Sequence, residues 1–398
     1  MEVLSRFFGV PSKSAFVFGP RGSGKSTWLR HSLPDALWVN LLQPETYREM
    51  SARPERLRQL VEGSGQRDVV VDEIQRVPEL LNVVHDLMES GKKRRFLLTG
   101  SSARKLRRGG VDLLAGRALN LTMHPFMAAE MPDFQLQRAL DIGTLPLVVA
   151  SSDPVGTLHA YATLYLDEEV KLEGWARDIG RFARFLEVVT FSHGSVMNVS
   201  NLARECQTER KTIAGYIEVI EDLLLAFRLP VFTRRAQREI TQHPKFYLFD
   251  TGVFRSLRPR GPIDRPAEID GAALEGLVAQ HLRAWIAYAP GDTRLSFWRT
   301  RSGVEVDFIV YGDLGFTAIE VQNSATVRSG DLRPLREFKA DYPEARAILL
   351  YRGNEELLID DIHCLPVESF LRSLVPPAST TRDAQAKQAA KPKRAKES

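Results

Sequence analysis

Two cysteines in 398 residues, Cys206 and Cys364, exclude a disulfide framework, and their spacing is not that of a metal-ligand pair. They fit a reducing compartment. No apolar run reaches the ~18 residues needed to cross a bilayer, and no N-terminal stretch joins a charged start to an apolar centre. The expectation is a cytoplasmic protein without a membrane contact. Strong charge of one sign is also lacking. The formal net charge is +4, from 54 basic and 50 acidic residues, and the excess sits at one end: residues 376–398 carry Arg382, Lys387, Lys391, Lys393, Arg394 and Lys396 against Asp383 and Glu397. The remainder is balanced at 48 of each sign, so contact with a polyanion has to come from local patches. The Ala/Lys/Pro tail has no apolar periodicity and reads as a disordered, solubilising extension, with non-specific phosphate contact as its alternative role. A hydrophobic content of 43% with 26% charged residues suits a soluble chain long enough for two or three cores.

What is present is most specific at Gly19-Pro20-Arg21-Gly22-Ser23-Gly24-Lys25-Ser26, which fits the phosphate-loop pattern G-x-x-x-x-G-K-[ST]. Its context is right, because Ala15-Phe16-Val17-Phe18 reads as a short buried strand and Thr27-Trp28-Leu29-Arg30 continues a helix that the loop opens. The three glycines let backbone N–H groups wrap phosphates, Lys25 reaches the terminal phosphates and the Ser26 hydroxyl holds Mg2+. Residues 19–27 are therefore the candidate nucleotide-triphosphate site.

Apolar runs at 37–41, 68–71, 95–99 and 118–121 alternate with helical stretches, as in a parallel sheet covered on both faces. The third strand in sequence ends in Asp72-Glu73, and a carboxylate there points into the crevice where such sheets bind ligands. Asp72 would hold Mg2+ through water and Glu73 would polarise the attacking water. Thr99 and Ser101, ending the fourth strand, either hydrogen-bond that water or the terminal phosphate, or form a turn and a cap. The run Arg104–Arg108 reads as a solvated helix face. Arg117, alone after a glycine and before a strand, is a candidate phosphate contact in its own or a neighbouring subunit, with Arg177, Arg181 and Arg184 as rivals.

Residues 127–193 are rich in helix formers and read as a lid. Val199–Cys206 and Thr208–Ile217 suggest two helices capped by Ser200 and Thr208, with an apolar seam at Ile213, Ile217, Ile220 and Leu224, the outline of a helix-turn-helix. Arg210, Lys211 and Thr212 would open its second helix, where such motifs meet DNA. Strands at 226–232 and 245–249 would pair as a wing whose connection carries Arg234, Arg235 and Arg238. A compact packing module with a solvated wing is the alternative. In the C-terminal third, Leu274, Leu277, Val278 and Leu282 mark a helix face, and 304–310 and 318–322 alternate as strands. A hairpin centred on Asp313-Leu314 sets Asp307 opposite Glu320 and Glu305 opposite Gln322, all on one side, with Val306, Phe308, Val310, Ile319 and Val321 on the other. Facing carboxylates repel, so a cation or a basic partner belongs between them, or Arg299 or Arg301 balances an exposed polar face.

The phosphate loop, Val69–Gln75, Leu97–Ser102, Leu114-Ala115-Gly116-Arg117, His124-Pro125-Phe126 and Glu130 together resemble prokaryotic AAA-type ATPases that carry an uncharacterised C-terminal domain, over nearly the whole chain to about residue 370. The resemblance implies an ATP-hydrolysing motor using ATP and Mg2+, with Lys25, Ser26, Asp72 and Glu73 in the roles above and Arg117 as a trans-acting arginine. By analogy it implies a homo-oligomer, with a hexameric ring among its forms. The hairpin, with Glu275 on the preceding helix, resembles the restriction-endonuclease-like PD-(D/E)XK core, which implies a second metal site at Glu275, Asp307 and Glu320. That pattern usually has lysine where this chain has Gln322, so the charge expected for cleavage is missing. The fold class expected is α/β: a phosphate-loop ATPase core (1–126), a helical lid (127–193), a winged helix-turn-helix (194–255), a restriction-endonuclease-like domain (268–372) and the basic tail (376–398). The function expected is an ATPase coupled to DNA. The alternatives are an ATP-licensed, metal-dependent endonuclease and a nucleotide switch acting on protein partners.

Overall fold

The computed structural model describes residues 4–90, 93–102, 106, 114–165, 179–233 and 243–377. Five strands, β1 (Ala15–Phe18), β2 (Leu37–Asn40), β3 (Asp68–Asp72), β4 (Arg95–Gly100) and β5 (Leu119–Thr122), form a parallel sheet in the order β2-β3-β4-β1-β5. Both faces are covered, which is why the inner strands are apolar without alternation. Phe16, Phe18, Val69, Val71, Phe96 and Leu98 pack on one face with Leu80, Val84 and Leu87 of helix Leu80–Glu89. Ala15, Val17, Val70 and Leu97 pack on the other with Trp28 and Leu29 of helix Lys25–Ser32.

Helices Leu136–Ile142, Pro146–Val149, Pro154–Ala160 and Ile179–Val189 follow. The next pair, Val199–Glu205 and Arg210–Asp222, is expected, but its caps differ. Asn198 caps the first helix, its Oδ1 accepting from the N–H groups of Ser200 (3.0 Å) and Asn201 (3.1 Å). Ser200 lies one residue inside, and Glu209 rather than Thr208 precedes the second helix, with no side-chain cap. Asn reaches its own downstream amides easily, so it captures the start ahead of a serine two residues later. Strands β6 (Ser195–Val196), β7 (Ala226–Leu229) and β8 (Lys245–Leu248) form an antiparallel sheet in the order β6-β8-β7. Arg177, Arg234, Arg235 and Arg238 lie outside the described residues, as does nearly all of the basic run 104–108 and the tail from 378.

Helix Pro266–Tyr288 leads into a six-stranded mixed sheet. Its strands are β9 (Thr293–Arg299), β10 (Glu305–Gly312), β11 (Gly315–Gln322), β12 (Arg346–Tyr351), β13 (Leu357–Ile359) and β14 (Ile362–Pro366), in the order β13-β14-β12-β11-β10-β9. The β10–β11 hairpin has the expected register, with Phe308 opposite Ile319 and Gly312 opposite Gly315. One detail is corrected. A β-bulge between Val306 and Ile309 on the β9 side puts Val306 in the cluster of Ile309, Leu335 and Phe338, while Phe308 and Val310 face the opposite cluster. An extra residue reverses the side-chain alternation from that point.

A single apolar cluster runs from Met127 to Leu374, joining the lid, the helix pair, the three-stranded sheet, helix Pro266–Tyr288 and one face of the C-terminal sheet. Among the described residues no helix is long and apolar enough to cross a membrane.

Candidate nucleotide site and a buried acidic cluster

The phosphate loop leaves the C-terminal end of β1 and turns into helix Lys25–Ser32. Gly22 (φ 80°) and Gly24 (φ 87°) occupy the left-handed region, and a Cβ on Gly22 would lie 3.0 Å from Leu147 Cβ. Glycine is therefore required at 22 both for backbone conformation and for space. Lys25 is buried, and its ammonium donates to the carbonyls of Gly19 (2.7 Å) and Pro20 (3.1 Å). Ser23 Oγ is buried with no hydrogen-bond partner among the described residues. Two left-handed glycines, an enclosed ammonium and an orphaned hydroxyl suit a bound triphosphate.

Asp72, 2% exposed, ends β3 beside the loop. Its Oδ1 accepts from Ser26 Oγ (2.9 Å) and Thr99 Oγ1 (2.5 Å), and Thr99 Oγ1 in turn accepts the Glu73 N–H (3.0 Å). This hydroxyl–carboxylate set suits Mg2+, a hard cation that takes oxygen ligands and keeps waters. Glu73 has φ 63° and ψ 48°, a left-handed conformation that costs a non-glycine residue ~1–2 kcal/mol. Thr99 anchors it there. Ser101 also joins the set, accepting from Gln75 Nε2 (3.2 Å).

A cavity of about 880 Å³ opens over the loop, lined by Arg21, Gly22, Gly24, Lys25, Ser26, Thr27 and Glu73 among others. Its apolar end comes from Leu4, from Phe126 of the His-Pro-Phe motif, and from Pro146, Leu147 and Ala150 of the lid. Leu147 donates its N–H to Gly22 O (3.1 Å), fastening the lid to the loop. Arg6, also on the wall, stacks over Phe126 (4.5 Å), donates to His124 O (2.6 Å) and pairs with buried Glu130 (3.3 Å). No local motif marks Leu4 or Arg6, which meet the loop only through tertiary packing.

Arg117 stands before β5, at the N-terminal edge of the sheet, where Leu119 pairs with Ala15. Four residues of strand, about 13 Å, separate that edge from Gly19. Arg117 is exposed and pairs with Glu89 (2.8 Å), so it does not contact a phosphate in its own chain. Arg184 pairs with Glu187 on its own helix, and neither it nor Arg181 lines the cavity.

A second constellation lies in the C-terminal half. Glu275, Asp307 and Glu320 converge, and the ammonium of Lys245, the first residue of β8, enters among them. Lys245 is 1% exposed; its Nζ lies 2.9 Å from Glu275 Oε1, 2.5 Å from Glu305 Oε1 and 2.9 Å from Asp307 Oδ1. Tyr247 donates to Glu275 (2.6 Å), the Val321 N–H to Asp307 (3.0 Å), the Asp307 N–H to Glu320 (3.4 Å) and Gln322 Nε2 to Glu320 (3.3 Å), while Arg299 pairs with Glu305 (3.4 Å). Burial, then the neighbouring Asp307 charge, pushes Glu275 up to about 7 and Glu320 well above the usual carboxylate range. Burial by itself would lower the Lys245 ammonium, but Asp307, Glu275 and Glu305 outweigh it and hold the group well above its ordinary value. The cation demanded by the facing carboxylates is thus a lysine 60 residues upstream of Glu305. Its one sequence signal is a charged residue opening a fully buried strand. Among the described residues no group of three or more His, Cys, Asp or Glu side chains is arranged to hold a metal ion.

Arg210 and Lys211 are exposed and Thr212 half-buried at the start of helix Arg210–Asp222.

A phosphate loop at the C-terminal edge of a parallel sheet, with a strand-end Asp-Glu beside it, defines the class of P-loop nucleotide-binding domains. Residues 11–132 match the family described as AAA domain, which supports an AAA-type ATPase family and, with it, nucleotide binding. Residues 133–264 and 270–370 match two families described as domains of unknown function, DUF8612 and DUF4143. No curated protein matches the sequence. Among solved structures, the chain is similar to protein VC1899 from Vibrio cholerae at 12% identity, over 95% of this chain and 98% of that one, with a TM-score of 0.21. It is similar to a type III CRISPR defence DNA nuclease activated by cyclic oligoadenylate at 13% identity, over 90% of this chain and 49% of that one, with a TM-score of 0.17. At such TM-scores neither carries an argument here.

Proposed function

We propose that the protein is a Mg2+-dependent ATPase whose turnover is coupled to DNA binding. The observation that carries the hydrolytic reading is the connected set Ser26–Asp72–Thr99–Glu73 at the floor of the nucleotide-sized cavity. When bound, Mg2+–ATP supplies the electrophilic phosphorus and a metal charge that offsets charge developing in the transition state. Lys25, enclosed by the loop, holds the terminal phosphates. Ser26 and Asp72 hold the metal and its waters. Glu73, fixed by its N–H bond to Thr99, orients a water and accepts its proton. Leu147 and Arg6 form part of the wall around the loop.

Coupling to DNA is supported by the exposed Arg210 and Lys211 at a helix N-terminus, a placement suited to phosphates or base edges. The C-terminal cluster supports binding over cutting. Glu275, Glu305 and Asp307 already share the Lys245 ammonium, and position 322 is an amide. The reading is tested by steady-state ATP hydrolysis of the wild type and Glu73→Gln, each alone and with linear, supercoiled and branched DNA. The expected result is a rate abolished by Glu73→Gln and raised by one DNA form. A Glu73-dependent rate indifferent to every DNA would remove the DNA coupling and point to protein partners. A nick in supercoiled DNA lost on Asp307→Ala would show cleavage instead.

A further inference from the structure

We propose that Gln75 is the positioning residue for Glu73, holding its carboxylate at the angle from which it activates water; the inference rests on the ATPase reading. Gln75 lies in the short 3-10 turn Ile74–Arg76 that follows Glu73. The left-handed backbone at Glu73 reverses the chain, and this brings the side chain two residues on back against the carboxylate. Gln75 Nε2 donates to Glu73 Oε2 (2.5 Å) and to Ser101 Oγ (3.2 Å), so both amide hydrogens are engaged. The side chain is 8% exposed, and Gln75 Oε1 is buried with no hydrogen-bond partner among the described residues. A buried, half-satisfied amide costs stability, and space for it is kept by the end of β4. A Cβ on Gly100 would lie 2.7 Å from Gln75 Oε1.

This arrangement has a chemical consequence. Glu73 lines the cavity, and anchoring its Oε2 leaves Oε1 as the oxygen that takes a proton from water. A carboxylate that accepts an amide N–H is held in one orientation, while the amide itself moves no proton. Ser101 acts one step further out, fixing the amide that fixes the carboxylate. It thereby gains a role distinct from direct contact with phosphate or water.

The test compares wild type, Glu73→Gln, Gln75→Leu and Gln75→Glu in steady-state ATP hydrolysis, with Mg2+–ATP affinity measured on each. Gln75→Leu should lower kcat by about tenfold to a hundredfold, the range expected when a reacting group is misplaced, with KM and nucleotide affinity changed by less than about twofold. Gln75→Glu takes away the donating amide and should likewise lower kcat by about tenfold or more, with nucleotide affinity changed by less than about twofold. Activity of Gln75→Leu within about twofold of wild type, equal losses in kcat and nucleotide affinity, or an undiminished kcat in Gln75→Glu would each overturn the assignment. If thermal melting shows Gln75→Leu unfolded, the split between kcat and nucleotide affinity in Gln75→Glu decides. A wild type without ATP hydrolysis sinks both readings. An active wild type, an inactive Glu73→Gln and unaltered Gln75 variants sink this one alone.

Discussion

At the scale of single residues, Lys245 shows how strongly a fold depends on one charge. Its ammonium sits 2.9 Å or less from three carboxylates, and removing one partner of a buried charged set leaves the rest uncompensated. Lys245→Met should therefore lower stability by about 3–5 kcal/mol at pH 7, read from urea unfolding midpoints. The loss should shrink at pH 5. Glu275 has a folded value of about 7 against an ordinary 4.5, so the folded state holds a proton more readily than the unfolded one. Its own contribution to stability is fully present below about 4.5 and lost as pH rises through 7. At pH 5 Glu275 is neutral and needs Lys245 less. An equal loss at both pH values would show that packing, not charge, sets the cost.

At the scale of elements, helix Pro266–Tyr288 links the two constellations. Glu275 meets Lys245, Gln280 donates to Thr144 Oγ1 (2.6 Å), His281 Nε2 accepts the Ala128 N–H (2.9 Å) and Tyr288 OH accepts the His124 N–H (2.8 Å) beside the nucleotide cavity. The opposite ring nitrogen of His281 donates to Leu277 O (2.8 Å), which fixes the neutral tautomer. Burial lowers His281 to about 4 from 6.5. Between those values the unfolded chain takes a proton that the folded chain refuses, so this group's contribution is present above 6.5 and falls as pH drops, by about 1.4 kcal/mol per unit. His281→Gln should remove that part of the acid slope in thermal unfolding followed from pH 7 to 5; an unchanged slope would place the proton elsewhere. The apolar face of this helix, Leu274, Leu277, Val278 and Leu282, was legible from its spacing, and all four are buried. Gln280 and His281 were not, because their partners lie 136 and 153 residues away in the chain and no local pattern announces them.

At the scale of the whole molecule, Arg117 faces away from its own phosphate loop, so a catalytic role for it requires a neighbouring copy. If the protein acts as the proposed homo-oligomer, Arg117→Ala and Glu73→Gln should each be nearly inactive alone, and a mixture should regain turnover above either. In a 1:1 mixture some interfaces pair an intact Arg117 with an intact Glu73. No recovery on mixing, with both variants oligomeric by light scattering, would remove Arg117 from the reaction.

The sequence by itself determined the parallel sheet, the phosphate loop, the strand-end Asp72-Glu73 and the register that sets Asp307 against Glu320. Each of these is written in short-range chemistry: glycine where φ must be positive, unbroken apolar runs where both strand faces are buried, and a two-residue hairpin turn. Only the tertiary structure decided what completes each site. Lys245 enters the acidic cluster from another sheet, Arg6 and Leu147 both line the cavity, Asn198 takes the cap expected of Ser200, and a bulge turns Val306 away from Phe308. Those outcomes depend on which buried charge finds which counter-charge and which side chain fills which space. Such contacts are made across long stretches of chain, where periodicity and motif spacing carry no information.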